Sequence, residues 1–206
     1  LTTRCTDIPL IVSVDPEKNV TTEFGAKGVT ADGFLAVDLA VYRIDWSDMV
    51  LPEVVTSIEG RPTAGSPPAF NRNIGDATIK GWELAADLRF NDAWTGRITT
   101  AYTDAQLDSA RIGSFQYWPS FRAPGCASVP SDPADANACD AASGFVSGNQ
   151  VLRVSPWTFS GSLSYKAPAF GDWDLFARGD VTWRDSWYIG NDNLGVIPDN
   201  TKVNLR

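Results

Sequence analysis

The chain has 206 residues, a formal net charge of -8 and no histidine, with 20% charged and 43% hydrophobic residues. This is too apolar for a disordered chain, and the acidic surplus opposes nucleic-acid binding, which needs basic patches. Without histidine the chain cannot build Ser–His or Cys–His nucleophile systems or a histidine zinc site.

No run of about 18 apolar residues occurs, which excludes a transmembrane helix and leaves transmembrane strands open. In chain order, residues 1–19 read as irregular, with Pro9 and Asp15-Pro16 as breakers. The start, Leu1-Thr2-Thr3-Arg4-Cys5, reads as the interior of a longer protein. From Val20 to Gly28, Thr22, Phe24 and Ala26 alternate with Thr21, Glu23, Gly25 and Lys27. Period-2 alternation of this kind marks a strand with one apolar and one polar face. Thr30-Ala31-Asp32-Gly33 is a tight turn, after which Leu35, Val37, Leu39 and Val41 face away from Ala36, Asp38, Ala40 and Tyr42. Arg43 and Asp45 interrupt the apolar face, so the strand is expected to leave the apolar layer there, and residues 47–72 are expected to be a long connection.

Residues 73–103 predict a hairpin. Trp82, Leu84, Ala86, Leu88 and Phe90 oppose Gly81, Glu83, Ala85, Asp87 and Arg89. After the Asn91-Asp92-Ala93 turn, Trp94, Gly96, Ile98, Thr100 and Tyr102 oppose Thr95, Arg97, Thr99, Ala101 and Thr103. Residues 104–155 read as a second long connection. Trp157, Phe159, Gly161, Leu163 and Tyr165 then alternate with Thr158, Ser160, Ser162 and Ser164, and Trp173 to Arg184 forms the next strand. A third loop at 185–200 precedes a strand beginning at Thr201.

Aromatic spacing sharpens this reading. Trp82 and Phe90, Trp94 and Tyr102, and Trp157 and Tyr165 are each eight residues apart on the apolar face. At ~3.3 Å per residue and ~40–45° of tilt, eight residues span roughly 20 Å, close to the ~25 Å apolar band between the aromatic girdles of an outer-membrane barrel. Short turns also alternate with long loops throughout, as in such barrels. Tyr42, on the polar face, does not fit the girdle pattern. The expected fold is all-β: an antiparallel transmembrane β-barrel fragment with six complete strands and the start of a seventh.

Several stretches carry a family resemblance. They are Asp15-Pro16-Glu17 with Glu23-Phe24-Gly25-Ala26-Lys27-Gly28, then Val41-Tyr42-Arg43-Ile44-Asp45-Trp46-Ser47-Asp48, then Asn73-Ile74-Gly75-Asp76-Ala77-Thr78-Ile79-Lys80-Gly81-Trp82-Glu83-Leu84, then Ala101-Tyr102-Thr103-Asp104-Ala105, and finally Val203-Asn204-Leu205-Arg206. In this order they resemble the barrel of TonB-dependent outer-membrane receptors. The resemblance implies a bacterial outer-membrane barrel of about 22 strands, closed by an N-terminal plug. It implies TonB-dependent active uptake of a scarce ligand: a ferric siderophore, cobalamin or a glycan. Partners would be outer-membrane lipid, the plug, TonB and the small-molecule ligand. The plug, the TonB-contacting segment and the final strands would lie outside residues 1–206, and no cofactor or enzymatic activity is implied. The alternatives are a passive porin-type barrel and a secreted β-sandwich ligand-binding module.

In the barrel reading Glu23, Lys27, Asp38, Glu83, Asp87, Arg97, Arg178 and Asp180 face the lumen, where they bond one another or the plug. Gly25, Gly81 and Gly161 are packing or curvature positions. Loop aromatics with a cation, Phe115, Tyr117, Trp118, Phe121 and Arg122, together with Trp187 and Tyr188, are candidate ligand contacts for a catecholate or a sugar. Packing against the barrel rim is their other reading. Asn191-Asp192-Asn193 has oxygen ligands but not the pattern of a calcium loop and reads as a turn, so no metal site is expected. Cys126 and Cys139 are expected to pair within the second long loop, leaving Cys5 unpaired unless its partner lies upstream of residue 1.

Overall fold

The computed structural model of the chain describes residues 13–54, 57–58, 61–62, 69–112, 123–124, 126, 138–139 and 142–206. The strands in chain order are β1 (Lys18–Val29), β2 (Leu35–Val54), β3 (Ser57–Ile58), β4 (Arg61–Pro62), β5 (Ala69–Arg89), β6 (Trp94–Ala110), β7 (Trp157–Pro168), β8 (Asp174–Arg184), β9 (Trp187–Tyr188), β10 (Val196–Ile197) and β11 (Asn200–Leu205). Seven form one sheet in the order β1-β2-β5-β6-β7-β8-β11, while β3 pairs with β4 and β9 with β10. The main sheet is a meander, open at β1 and β11. Both edge strands are exposed along their whole length.

The chain divides into two compact units. The first takes Leu1–Val20, Asp45–Thr78 and Gln106–Asn149; the second takes Thr21–Ile44, Ile79–Ala105 and Gln150–Arg206. In the second unit the antiparallel registers keep like faces together. Trp94 lies opposite Tyr165, Ile98 opposite Gly161, and Tyr102 opposite Trp157. The same face continues through Gly161 opposite Val181 and through Val203 opposite Val181. The expected aromatic spacing becomes two sets of ring contacts. Near the short turns, Trp94 and Tyr165 have centroids 4.8 Å apart and Phe34 and Phe90 6.0 Å. At the other end, Trp157 lies 4.8 Å from Tyr102 and 5.6 Å from Trp82.

Each short turn is fixed by residues suited to it. Asn91 Oδ1 accepts hydrogen bonds from the amides of Ala93 (2.9 Å) and Trp94 (2.8 Å). In the β1–β2 turn Gly33 takes φ 68°, and Asp32 accepts from the Thr30 hydroxyl at 2.6 Å and the Phe34 amide at 3.1 Å. The Thr30 hydroxyl first, and the Phe34 amide second, hold the Asp32 carboxyl below its ordinary value. A depressed carboxyl pKa contributes stability that is present above the unfolded value of about 4 and is lost as pH falls through the folded value. Hydrogen-exchange protection of the Phe34 amide is therefore expected to decline in acid. In Asp32→Asn it should be lower at neutral pH and flat through the same window; an unchanged acid decline in Asp32→Asn would show that another group controls the turn.

The first unit holds most of the buried apolar side chains: Met49, Ile74, Ala77, Leu107, Ala110, Ile112 and Val146. Residues 144–149 return along β6. Val146 donates to the Ala110 carbonyl, Ile112 to Gly144 and Leu107 to Asn149, each at 2.9 Å. Asn73 ties the ends of several strands. Its side chain exchanges two hydrogen bonds with the Asp15 backbone (2.8 and 3.0 Å) and donates to the Asp48 carbonyl at 2.6 Å. Asp76 accepts from the Asp48 amide at 3.0 Å and the Ser109 hydroxyl at 3.2 Å, and Glu17 accepts from the Val50 amide at 2.5 Å.

Two expected connections are in part strand. β2 continues to Val54 rather than ending near Asp45, β5 begins at Ala69, and β6 runs to Ala110. The reason is a change of phase. On β6, Ala105 and Leu107 continue the face of Arg97 and Thr99 yet are fully buried, while Gln106 and Asp108 on the other face are exposed. On β2, Arg43 and Asp45 likewise change the phase without ending the strand. Trp173 precedes β8 and is 78% exposed, and β11 begins one residue earlier than expected.

Candidate functional site

The polar face of the second unit gathers the charged residues that alternation assigned to it. Along β6, β7, β8 and β11, Arg97 lies opposite Ser162, Ser162 opposite Asp180, and Asp180 opposite Asn204. One register step away, Thr95 lies opposite Ser164 and Ser164 opposite Arg178. Lys27 pairs with Asp38 at 2.8 Å, Arg97 with Asp87 at 3.2 Å and Arg178 with Asp180 at 2.7 Å. The Asp180 carboxylate is also 3.9 Å from Arg206. The Lys27 and Arg97 pairs are largely exposed to solvent, where water and salt screen them, so their weight lies in orienting side chains rather than in stability. Glu23 and Glu83 join Lys27 and Asp38 around a recess of about 500 Å³.

Tyr42 finds its explanation on this face. Its ring lies over Gly81 on the neighbouring strand, and its hydroxyl shares a 2.9 Å hydrogen bond with Thr103 one strand further on. A Cβ at Gly81 would stand 2.5 Å from the Tyr42 hydroxyl oxygen and 2.3 Å from the Tyr102 carbonyl oxygen. Gly81 is thus a notch for an aromatic ring crossing from one strand toward the next. Gly161 has a similar relation to the Phe159 ring, 3.3 Å from a would-be Cβ. At Gly25 the nearest atom is the Leu39 carbonyl oxygen, also at 3.3 Å.

Among the loop candidates, Trp187 and Tyr188 form β9, opposite Ile197 and Val196. The Arg184 guanidinium sits 5.4 Å over the Trp187 ring, and the buried indole Nε1 has no hydrogen-bond partner among the described residues. One face of Trp187 is therefore used within the chain. Asn191 and Asn193 bind backbone: Asn191 Oδ1 accepts from the Leu152 amide (3.2 Å), and Asn193 exchanges hydrogen bonds with both backbone groups of Gln150 (2.7 and 2.9 Å). Among the described residues no cluster of His, Cys, Asp and Glu is arranged to hold a metal ion. Phe115, Tyr117, Trp118, Phe121 and Arg122 lie outside the described residues, as does Cys5. Cys126 and Cys139 are joined by a disulfide with Cα atoms 5.7 Å apart.

Sequence reasoning did not single out Arg89 or the hydroxyls of Thr95, Ser162 and Ser164. They line a second recess on the polar face, of about 410 Å³, with Asp87, Arg97 and Arg178. The uninterrupted hydroxyl face of β7 (Thr158, Ser160, Ser162, Ser164) was the available signal.

An antiparallel meander with one apolar face bounded by aromatic contacts, and one charged and hydroxylated face, defines an outer-membrane β-barrel wall. Residues 9–206 match the family described as TonB dependent receptor-like, beta-barrel, and the chain belongs to that family. Its members are outer-membrane proteins of Gram-negative bacteria and form a family of receptors and transporters rather than enzymes. Similar solved structures include the ferric yersiniabactin uptake receptor FyuA from Yersinia pestis and the siderophore receptor PiuA from Acinetobacter baumannii. Each has 17% identity and a TM-score of 0.59, over 92% of this chain and 22% of that one. BauA, the ferric preacinetobactin receptor from Acinetobacter baumannii, has 13% identity and a TM-score of 0.59, over 96% of this chain and 24% of its own. The chain thus spans about a quarter or less of these structures, and at such identities the likeness concerns the fold. No curated protein matches the chain in sequence.

Proposed function

We propose that residues 1–206 are part of the barrel wall of a receptor that takes up a ferric siderophore across the outer membrane in a TonB-dependent way. The apolar face would meet lipid, and the polar face would line the lumen against a plug formed by another part of the same protein. The observation that carries this reading is the matched register of two chemically opposite faces, with aromatic contacts at both ends of the apolar one. Membership of the TonB-dependent receptor barrel family supports the energy source, and the siderophore receptors among similar folds support the ligand class. Charged pairs such as Lys27–Asp38 would set side-chain positions along the lumen, and the segments around 115–122 and 187–188 would contribute to ligand capture outside the cell.

The test is uptake of radiolabelled ferric siderophores by cells expressing the intact protein. Uptake is expected to vanish when TonB is deleted or the proton-motive force is collapsed. Uptake that persists unchanged in the TonB-deletion strain would overturn the reading in favour of a passive porin.

A further inference from the structure

Residues 143–146 form a seat for the far end of β6. The Ile112 amide donates to the Gly144 carbonyl and the Val146 amide to the Ala110 carbonyl, each at 2.9 Å. Arg111 Nε donates to the Ser143 carbonyl, also at 2.9 Å. Ser143 is 2% exposed, and its hydroxyl oxygen accepts from the Ala123 amide at 3.0 Å. One buried serine thus holds two remote parts of the chain, the end of β6 and residue 123.

The disulfide closes a ring around this serine. The Cys126 amide donates to the Ala123 carbonyl at 3.0 Å, and Cys126 is bonded to Cys139. Along the peptide chain Ala123 and Ser143 are 20 residues apart. Through the disulfide the path is three residues from Ala123 to Cys126, the bridge, and four residues from Cys139 to Ser143. Loop-closure entropy grows as (3/2)RT ln n, so shortening the path to about eight residues favours the Ala123–Ser143 bond by about fourfold. The Ile112–Gly144 bond shortens less, and its gain is about twofold. The bond from the Lys166 amide to the Ala93 carbonyl, in the wall, encloses neither cysteine alone and gains nothing. Both cysteines are only partly buried, within reach of a small dithiol.

We propose that the Cys126–Cys139 disulfide is a redox-sensitive latch for the Ser143 seat, so that a dithiol loosens the long-loop end of the chain and leaves the membrane wall folded. One thiolate of the dithiol attacks a cysteine sulfur and breaks the S–S bond, and its second thiolate then displaces the mixed disulfide. Cys126 and Cys139 take up the two protons as thiols, and the reagent leaves as its own disulfide. The proposal rests on the barrel reading only in placing the long loops outside the cell, where they meet the redox conditions of the medium.

The test is hydrogen exchange at single-amide resolution on the purified intact protein in detergent, before and after dithiothreitol, with reduction confirmed by mass. After reduction the Ala123 amide is expected to exchange about fourfold faster and the Ile112 amide about twofold faster, with Lys166 unchanged. The Cys126→Ser/Cys139→Ser double variant should show the reduced pattern with or without dithiothreitol, which separates the latch from any other cysteine. Ser143→Ala should leave the Ala123 amide unprotected in both redox states and so abolish the redox response there. Equal Ala123 protection in the oxidised and reduced protein, or a dithiothreitol response that persists in the double variant, would overturn the proposal. So would a bridge that resists dithiothreitol in the folded protein, or an equal loss of protection at Lys166. TonB-dependent uptake is measured separately, so failure of the latch and failure of the transport reading are distinguishable.

Discussion

The Gly75→Ala variant of the intact protein is expected to lose most of its folded yield, with a cost of about 3 kcal/mol or more where unfolding can be followed. A Cβ at this position would lie 1.6 Å from the Ser109 carbonyl oxygen and 2.7 Å from the Ala110 Cα. Both are backbone atoms, so no rotamer change relieves the overlap. The backbone also takes φ 140°, a conformation that side chains rarely adopt. To make room, β5 and β6 would have to separate where Arg111 donates to the Ile74 carbonyl at 2.8 Å and Ser109 to Asp76 at 3.2 Å. Buried Ile74, Ala77 and Ala110 lie within the same few residues of those strands, so separation would expose packed surface as well. Gly28→Ala is the matched control, since nothing lies within 4 Å of its would-be Cβ. Equal urea midpoints and equal yields for the two variants would refute the assigned close approach.

How much of this architecture could be read from the chain depends on what surrounds each face. β7 and β8 were legible because one face meets a uniform apolar medium and the other does not, so alternation from Trp157 to Tyr165 is a direct record of environment. The same logic misread the far ends of β2 and β6. Once a strand leaves the apolar layer its outer face meets water, and its inner face meets other protein. Gln106 and Asp108 are then outside and Ala105 and Leu107 inside, so alternation persists with its phase reversed and resembles a strand end. Tyr42 was illegible for a different reason. A tyrosine on a polar face makes sense only beside Gly81 and within reach of Thr103, and those neighbours follow from strand register rather than sequence spacing. The motif around Asn73 and Asp76 was visible as a resemblance, but its work depends on where Asp15 and Asp48 are brought. The arginine recess combines residues from several strands, and no stretch of the chain shows it alone. The candidate loop aromatics at 115–122 were legible only as composition.

Arginine introduced on the apolar face should damage membrane insertion in proportion to depth, with the opposite face as an internal control. Ile98 lies midway between Trp94 and Tyr102 on β6, opposite Gly161. Leu163 lies one same-face position from Tyr165, opposite Gly96 and Gly179. Both are on the face whose ends carry the aromatic contacts, and both are partly exposed (39% and 45%) as lipid-facing side chains should be. At the bilayer midplane arginine costs about 2–4 kcal/mol, falling to about 0–1 near the interfaces, where a long side chain can reach the headgroups. Ile98→Arg is therefore expected to be the most damaging, Leu163→Arg intermediate, and Ser162→Arg close to the unsubstituted protein. Ser162 sits on the opposite face between Arg97 and Asp180, where an added cation remains in a polar setting. The measurement is folding of the intact protein into lipid vesicles, scored by the heat-modifiable shift on gels and by urea titration. Equal losses for the three variants would show that the two faces are wrongly assigned. A larger loss for Leu163→Arg than for Ile98→Arg would displace the apolar midplane toward the short turns and with it the depth of the aromatic rows.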